Sequence, residues 1–293
     1  MAATATAISS RTNARVKQLR AAFAGQDRLS DGLVAIEGEH LVEEALRSGL
    51  DIRMLFHTER QKTPAGLDRS TEIVLLTADV FASAVETPSP QGIAALITPP
   101  TYLLTDILNR AASPLILIAA GLQDPGNLGT LVRSAEAFDA TGVITTPGTV
   151  SAWNQKALRS SAGSVFRMPV VQATVAEITE MQQKYGIRLL AAVGTAEEDV
   201  LAAQDADLRQ PTGILIGNEG AGLAAQWMEM ATHRVTIPCP GPVESLNAAV
   251  AGSLLLYEAS RQRSSPATTQ EADTTAIPRI PGPMRRRPSG ATR

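Results

Sequence analysis

Short apolar runs alternate with amphipathic stretches along most of this chain. Runs at 34–36, 52–56, 72–76 and 93–97 are strand length. Residues 13–23 predict a helix with Val16 and Leu19 on one face and Arg15 towards the other. Residues 37–48 predict a second, because Leu41, Val42, Ala45 and Leu46 recur at helical spacing and Gly49 suits its C-terminal cap. A short helix starts near Ala78. The Thr98-Pro99-Pro100 step breaks the pattern, and a short helix over about 103–109 leads into a second unit. There the predicted strands are 115–120, 142–145, 169–171, 188–192, 214–216 and 233–237. The predicted helices are 127–138, 154–159, 175–185, 222–230 and 246–258.

The alternation of strands and helices predicts an α/β fold whose sheet is mostly parallel and covered on both faces. The divisions expected are a small α/β unit over 1–98, a linker over 99–112, a larger α/β unit over 113–264 and a tail over 265–293. The tail is rich in Ser, Pro, Thr, Ala and Arg, has too little apolar content to pack, and is expected to be disordered.

Composition narrows the class. The chain has 293 residues, enough for two domains, and only 3% are aromatic, so Leu, Ile, Val and Ala must fill the core. A single cysteine, Cys239, excludes a disulfide framework and a cysteine-rich zinc site, and fits a reducing, cytoplasmic setting. The N-terminus lacks the apolar stretch of a signal peptide, and no apolar run is long enough to span a membrane. His40, His57 and His233 have no metal-ligand spacing, so no metal is expected. The formal net charge is −3, a weak argument against a nucleic-acid partner. Charge is unevenly placed, however: Arg11, Arg15, Lys17 and Arg20 form a positive segment with no acid among the first 20 residues.

Three segments interrupt the pattern where strands should end: GLQDPGNLGTLVR at 121–133, ILIGNEGAGL at 214–223 and IPCPGPVESLN at 237–247. Ligands of parallel sheets bind at the carboxyl ends of strands, so three such segments suggest one composite site. In the first, Asn127 is a natural helix cap and Arg133 lies six residues on, 240° round the helix from it. Its head could point into a partly buried site; a surface salt bridge is the plainer alternative. In the second, Glu219 could accept from a ligand or orient Arg133, or the segment could be a simple turn. In the third, the prolines stop both strand and helix, Ser245 could cap the helix that follows with Asn247 just inside it, and Cys239 reads as a packed small hydrophobe. The dinucleotide fingerprint, the phosphate-binding loop and the serine-hydrolase elbow are all missing.

Together the segments resemble the motifs of the SpoU/TrmH-type RNA 2′-O-ribose methyltransferases of the SPOUT superfamily. NLGTLVRSAEAF from 127, GNEGAGL from 217 and IPCPGPVESLNAAVA from 237 match in order and spacing, with KALRSSAGSVFRMPV at 156–170 between them. SRTNARVKQLR at 10–20 and AIEGEHLVEEAL at 35–46 resemble the small RNA-recognition domain that precedes the catalytic domain in many members. The resemblance covers about residues 8–262. It implies a C-terminal α/β domain tied in a deep trefoil knot, preceded by an RNA-binding domain with the fold of ribosomal proteins of the L30e-like type. It implies S-adenosylmethionine as cofactor, held by Gly194, Thr195, Ile216, Gly217, Asn218, Gly220, Ile237, Pro238, Leu246 and Ala248. Arg133, Asn127, Glu219, Ser245 and Asn247 would form the catalytic set, with Asn127 bonding Arg133. The partner implied is RNA, foremost large-subunit ribosomal RNA, held through Arg11, Arg15, Lys17, Lys156, Arg159 and Arg167, and the protein would be a homodimer. The competing readings are a non-catalytic RNA-binding or ribosome-assembly protein on the same fold, and a nucleotide-dependent oxidoreductase or ligase on an ordinary doubly wound sheet.

Overall fold

The computed structural model describes residues 6–24, 32–194, 199–243 and 245–264. The first unit holds α1 (Ala14–Ala24), β1 (Val34–Glu37), α2 (Glu39–Arg47), β2 (Ile52–Thr58), β3 (Glu72–Leu76), α3 (Ala78–Ala82) and β4 (Ile93–Ile97). Its four strands lie in the order β1-β4-β2-β3. The sheet is mixed: β4 runs antiparallel to both β1 and β2, while β2 and β3 are parallel. All five residues of β4 are buried, so this apolar run is covered on both faces.

After α4 (Leu104–Leu108) the second unit runs β5 (Leu115–Ala119), α5 (Pro125–Ala137), β6 (Gly142–Thr145), α6 (Gln155–Ser161), a 3-10 turn (Ser164–Phe166), β7 (Val170–Gln172), α7 (Val175–Tyr185) and β8 (Arg188–Ala192). It ends with β9 (Val200–Ala202), β10 (Thr212–Ile216), α8 (Ala225–Met230), β11 (His233–Thr236) and α9 (Ala248–Ser264). Seven strands in the order β7-β6-β5-β10-β8-β11-β9 form a sheet in which every pairing is parallel. The chain is therefore a larger α/β domain joined to a small one, and the parallel expectation holds for the larger sheet alone.

Several predicted bounds shift, each for a local reason. Helix α5 begins two residues earlier than expected, because Asp124, not Asn127, is its cap: the Asp124 carboxylate accepts from the Asn127 amide at 2.9 Å. Pro125 then sits at a first-turn position, where its missing N–H costs nothing. Helix α9 begins later and ends later than expected. Asn247 caps it in place of Ser245, its Oδ1 accepting from the amides of Ala249 (2.9 Å) and Val250 (3.2 Å). At its far end the Arg263 guanidinium donates to the carbonyls of Leu208, Ser113, Pro114 and Gln210. That grip ties the last helix to the start of β5 and to the segment before β10.

Helices α5 and α9 lie side by side and run the same way. Asn127 faces Asn247, Leu131 faces Gly252, the Ser134 and Ser253 hydroxyls meet at 2.7 Å, and the Phe138 and Tyr257 rings pack edge to face at 5.7 Å. The approach is close: a Cβ on Gly252 would stand 2.4 Å from Leu131 Cδ2. The two sheets share one continuous apolar core, in which Ile36, Val42 and Ala45 of the small unit join Leu117, Leu128, Val165 and Phe166 of the larger. The predicted disordered tail lies outside the described residues.

Candidate active site

A cavity of about 240 Å³ opens at the carboxyl ends of β8, β10 and β11. Its walls come from three places in the sequence. Ala192 ends β8 and is followed by Val193 and Gly194; Ile216 ends β10 and is followed by Gly217 to Gly220 and Gly222; Ile237, Cys239, Ser245 and Leu246 follow β11, with Ala248, Ala251 and Leu255 of α9 behind them. Of the residues expected to hold the cofactor, Gly194, Ile216, Gly217, Asn218, Gly220, Ile237, Leu246 and Ala248 all line it. Thr195 lies outside the described residues. Pro238 is exposed and does not line the cavity. Cys239 does line it, with its thiol donating to the Ile237 carbonyl at 3.3 Å. The sequence marked it only as a packed hydrophobe, and the prolines on either side were the available signal.

The loop after β10 is organised by Asn218. Its Oδ1 accepts from the amides of Gly220 and Ala221, and its Nδ2 donates to the Gly121 carbonyl at 3.0 Å. One side chain thus shapes the second motif and ties it to the first. Glu219 completes the tie: its carboxylate accepts from the amides of Gln123 (3.2 Å) and Asp124 (3.1 Å) and from Asn127 Nδ2 (2.9 Å). Asn127 Oδ1 in turn accepts from Asn247 Nδ2 at 3.0 Å. Glu219, Asn127 and Asn247 therefore form a chain that links all three motifs at the rim of the cavity. Burial disfavours the Glu219 carboxylate, but the hydrogen bonds from Asn127 and from the amides outweigh it and hold the carboxyl below its ordinary range. Glu219 is charged at neutral pH and accepts only.

The structure redraws the expected role of Arg133. It is exposed, and it has no hydrogen bond or ion pair among the described residues. Neither Glu219 nor Asn127 orients it, because both are engaged with each other. Arg133 is exposed on α5, as are Thr130 and Ala137, and the neighbouring helix α9 exposes the apolar residues Val250, Leu254 and Tyr257 (47%, 42% and 51% exposed). Its head does not enter the cavity of its own chain.

The expected RNA cations separate into two groups. Arg11, Lys17 and Arg159 are exposed. Arg15 is paired with Glu72 at 2.7 Å, and Lys156 with Asp124 at 2.5 Å. Arg167 is committed inside the protein, to Glu136, Glu44 and Ser48, and presents no free donor fork to RNA. Those partners are distant in sequence, so no local pattern could have revealed them.

The cavity suits a particular kind of ligand. Among the described residues that line it, Glu219 is the only charged side chain, and no Lys or Arg joins it. A dinucleotide would leave its phosphates without a cation, whereas a ligand with positive charge and a large apolar surface meets a carboxylate, Ile216, Leu246, Ala248 and Leu255. This fits S-adenosylmethionine and disfavours the oxidoreductase alternative. Among the described residues no cluster of three His, Cys, Asp or Glu side chains could hold a metal, and no helix is long and apolar enough to cross a membrane.

A parallel α/β domain with a cavity at its strand ends, joined to a small α/β domain, is an architecture suited to a two-domain cofactor-dependent enzyme. Comparison with known proteins agrees. Residues 114–257 match the SpoU rRNA Methylase family, and residues 13–95 match the MRM3-like substrate binding domain. The chain belongs to the SpoU rRNA methylase family. It is 34% identical over 250 residues to the 23S rRNA (guanosine(2553)-2′-O)-methyltransferase RlmP of Bacillus subtilis, covering 85% of this chain and 97% of that one. Among solved structures it is similar to the SpoU methyltransferase AviRb from Streptomyces viridochromogenes in complex with AdoMet, with 30% identity, a TM-score of 0.75, and 86% and 98% of the two chains covered. It is also similar to the AdoMet-bound rRNA methyltransferase from Sinorhizobium meliloti, with 28% identity, a TM-score of 0.76, and 89% and 99% covered.

Proposed function

We propose that this protein transfers a methyl group from S-adenosylmethionine to a ribose 2′-hydroxyl of large-subunit ribosomal RNA, and that it does so as a homodimer in the cytoplasm without a metal. The observation that carries the reading is the cavity built from the second and third motif segments and the end of β8, with Glu219 the one charged side chain among its described lining residues and hydrogen-bonded to the first segment. The names of the similar enzymes, a 23S rRNA 2′-O-methyltransferase, an AdoMet-bound SpoU methyltransferase and an AdoMet-bound rRNA methyltransferase, point to the same reaction.

The cofactor supplies an electrophilic methyl group on a positively charged sulfonium. This chain's residues supply position. Ile216, Leu246, Ala248 and Leu255 give apolar walls for the adenine and thioether carbons, and the main chain at Gly194, Gly217 and Gly220 allows close approach. Asn127, Glu219 and Asn247 hold the three loops in one geometry, and Ser245 stands at the entrance. Arg133 holds a phosphate of the substrate and places its fixed positive charge beside the 2′-oxygen as that atom gives up its proton to solvent water. A guanidinium does not readily accept a proton, so Arg133 orients rather than acts as base. Catalysis of this kind rests on orientation.

The exposed stripe of Val250, Leu254 and Tyr257 supports the dimer. Covering it with the same stripe of a second copy would bring each Arg133 towards the partner's cavity, which accounts for its exposure here. In this reading the segment 214–250 forms a deep trefoil knot; the packing of α9 against α5, β5 and β10 supports that path. The small domain takes the L30e-like fold in the same reading, with its mixed sheet and the match to a substrate binding domain in support.

The test is methyl transfer from labelled S-adenosylmethionine to ribosomal RNA from a strain lacking the gene, with mapping of the product. A single labelled 2′-O-methyl ribose in large-subunit RNA is expected. Protein that binds the cofactor but labels neither free RNA nor assembling particles would mark a binding protein instead. Arg133→Ala should abolish transfer and leave cofactor affinity nearly intact; parent-like activity would remove Arg133 from the mechanism.

A further inference from the structure

Arg167 follows the 3-10 turn after α6. Its Nη1 donates to Glu44 Oε2 at 2.7 Å and to Ser48 Oγ at 2.9 Å, while its Nε and Nη2 donate to the two oxygens of Glu136 at 2.6 and 3.1 Å. Glu44 belongs to α2 of the small domain and Ser48 closes that helix. Glu136 belongs to α5, three residues after Arg133 and on the same helix as Asn127. One planar group therefore holds the small domain and the helix of the methyl-transfer site together. A guanidinium suits this junction because its five coplanar donors let it fork onto the Glu136 carboxylate while the opposite side reaches Glu44 and Ser48.

The surroundings allow little play. Gly163 has a positive φ of 86°, and a Cβ there would stand 2.8 Å from Glu44 Cβ. Gln155 Nε2 donates across the same junction to the Ala35 carbonyl at 2.7 Å. The apolar core passes through the junction, with Val42 and Ala45 on one side and Val165 and Phe166 on the other. The Arg167 hydrogen bond holds the Glu44 carboxyl below its ordinary value, so the pair is charged at neutral pH. A domain hung on a tether would behave otherwise: it would let the site sample many riboses.

We propose that Arg167 is a positioning residue that sets the bearing of the small domain on helix α5, and thereby selects which ribose of a bound RNA reaches the methyl-transfer site. This rests on the proposed function. The size of the effect follows from geometry, since a misplacement of about 1 Å at a reacting centre can cost about 100-fold in rate.

The role can be separated from direct RNA contact by Glu44→Gln. If Arg167 held an RNA phosphate, removing the competing carboxylate would free it and tighten RNA binding. If Arg167 holds the junction, Glu44→Gln loosens the junction and behaves like Arg167→Met. The experiment compares parent, Arg167→Met, Arg167→Lys and Glu44→Gln for cofactor affinity, RNA affinity, kcat, KM and mapped methyl sites. Expected for Arg167→Met and Glu44→Gln are unchanged cofactor affinity, RNA affinity within about twofold, kcat at the parent site down by about tenfold or more, and methyl groups at neighbouring riboses. Arg167→Lys should restore little of this. Weaker RNA binding in Arg167→Met with tighter binding in Glu44→Gln would overturn the proposal, as would variants with parent-like rate and site. A parent that methylates no RNA would count against the proposed function alone. The junction would then be read from spin-label distances between the two domains, expected narrow in the parent and broad in Arg167→Met; equal widths would overturn it.

Discussion

Helix α5 is held from two sides by different chemistry. Towards α9 its contacts are an amide pair, a leucine against a glycine, two hydroxyls and two aromatic rings, none of them charged. Towards the small domain its contact is the carboxylate of Glu136 on Arg167. The first seam works by shape and permits one closest approach. The second works by direction, since a guanidinium fork holds its partners at fixed angles. Shape secures that the larger domain folds at all; direction secures how the smaller domain is aimed.

Substitutions should separate the two. Leu131→Ala empties the centre of the α9 seam, where Leu131 is fully buried. It should cost about 2–5 kcal/mol and lower Tm and cofactor affinity together; a loss of RNA selectivity with unchanged Tm would contradict the distinction. Arg167→Met should cost less, about 1–3 kcal/mol, because its group is partly exposed and screened. That loss should depend on pH. Contact with Arg167 holds Glu44 below the ordinary 4.5; at Glu136 burial pushes upward, but contact with Arg167, the Ser164 hydrogen bond and the charge of Arg110 together outweigh it. Groups with lowered folded-state pKa contribute above the unfolded value and lose the contribution as pH falls through the folded one. The Tm gap between parent and Arg167→Met should thus be full above about pH 5 and shrink below 4.5, and a gap that widened in acid would refute the pairing.

Smaller effects sharpen the picture. Asn247→Ala removes a helix cap and a link between motifs, and should cost about 1 kcal/mol, visible in urea melts, with a larger loss of cofactor affinity. The reverse order of effects would make Asn247 a cap only. Lys156→Met should cost under about 1 kcal/mol, because its pair with Asp124 is exposed. A drop in RNA affinity that survives high salt would show that Lys156 does more than contact phosphate.

Much of this was legible in the residues. The strands 72–76, 93–97, 142–145 and 188–192 and the helix 175–185 stand where apolar periodicity put them. The misses share one cause, the dependence of a local choice on a distant partner. Strand β9 is three residues long and exists through its pairing with β11. Helix α9 runs on to Ser264 because Arg263 finds carbonyls from two other segments. Arg167 looked like a cation on an RNA path because Glu44, 123 residues away, carries no mark of the partnership. The cavity was clearer than the cation roles: its lining residues fall at strand ends, which chain order discloses, whereas the aim of a charged side chain depends on what else has folded nearby.

The grip of Arg263 has a consequence in time. Its carbonyl partner at Ser113 is 150 residues earlier in the chain. At synthesis rates of roughly 5–20 residues per second, the start of β5 waits on the order of 8–30 s for the side chain that fastens it. During that interval the larger domain is a nascent chain with its final strap still inside the ribosome, while every strand of the small domain has been made. Ribosome-bound chains should therefore show early protease resistance in the small domain, with resistance of the larger one appearing only after Arg263 has emerged.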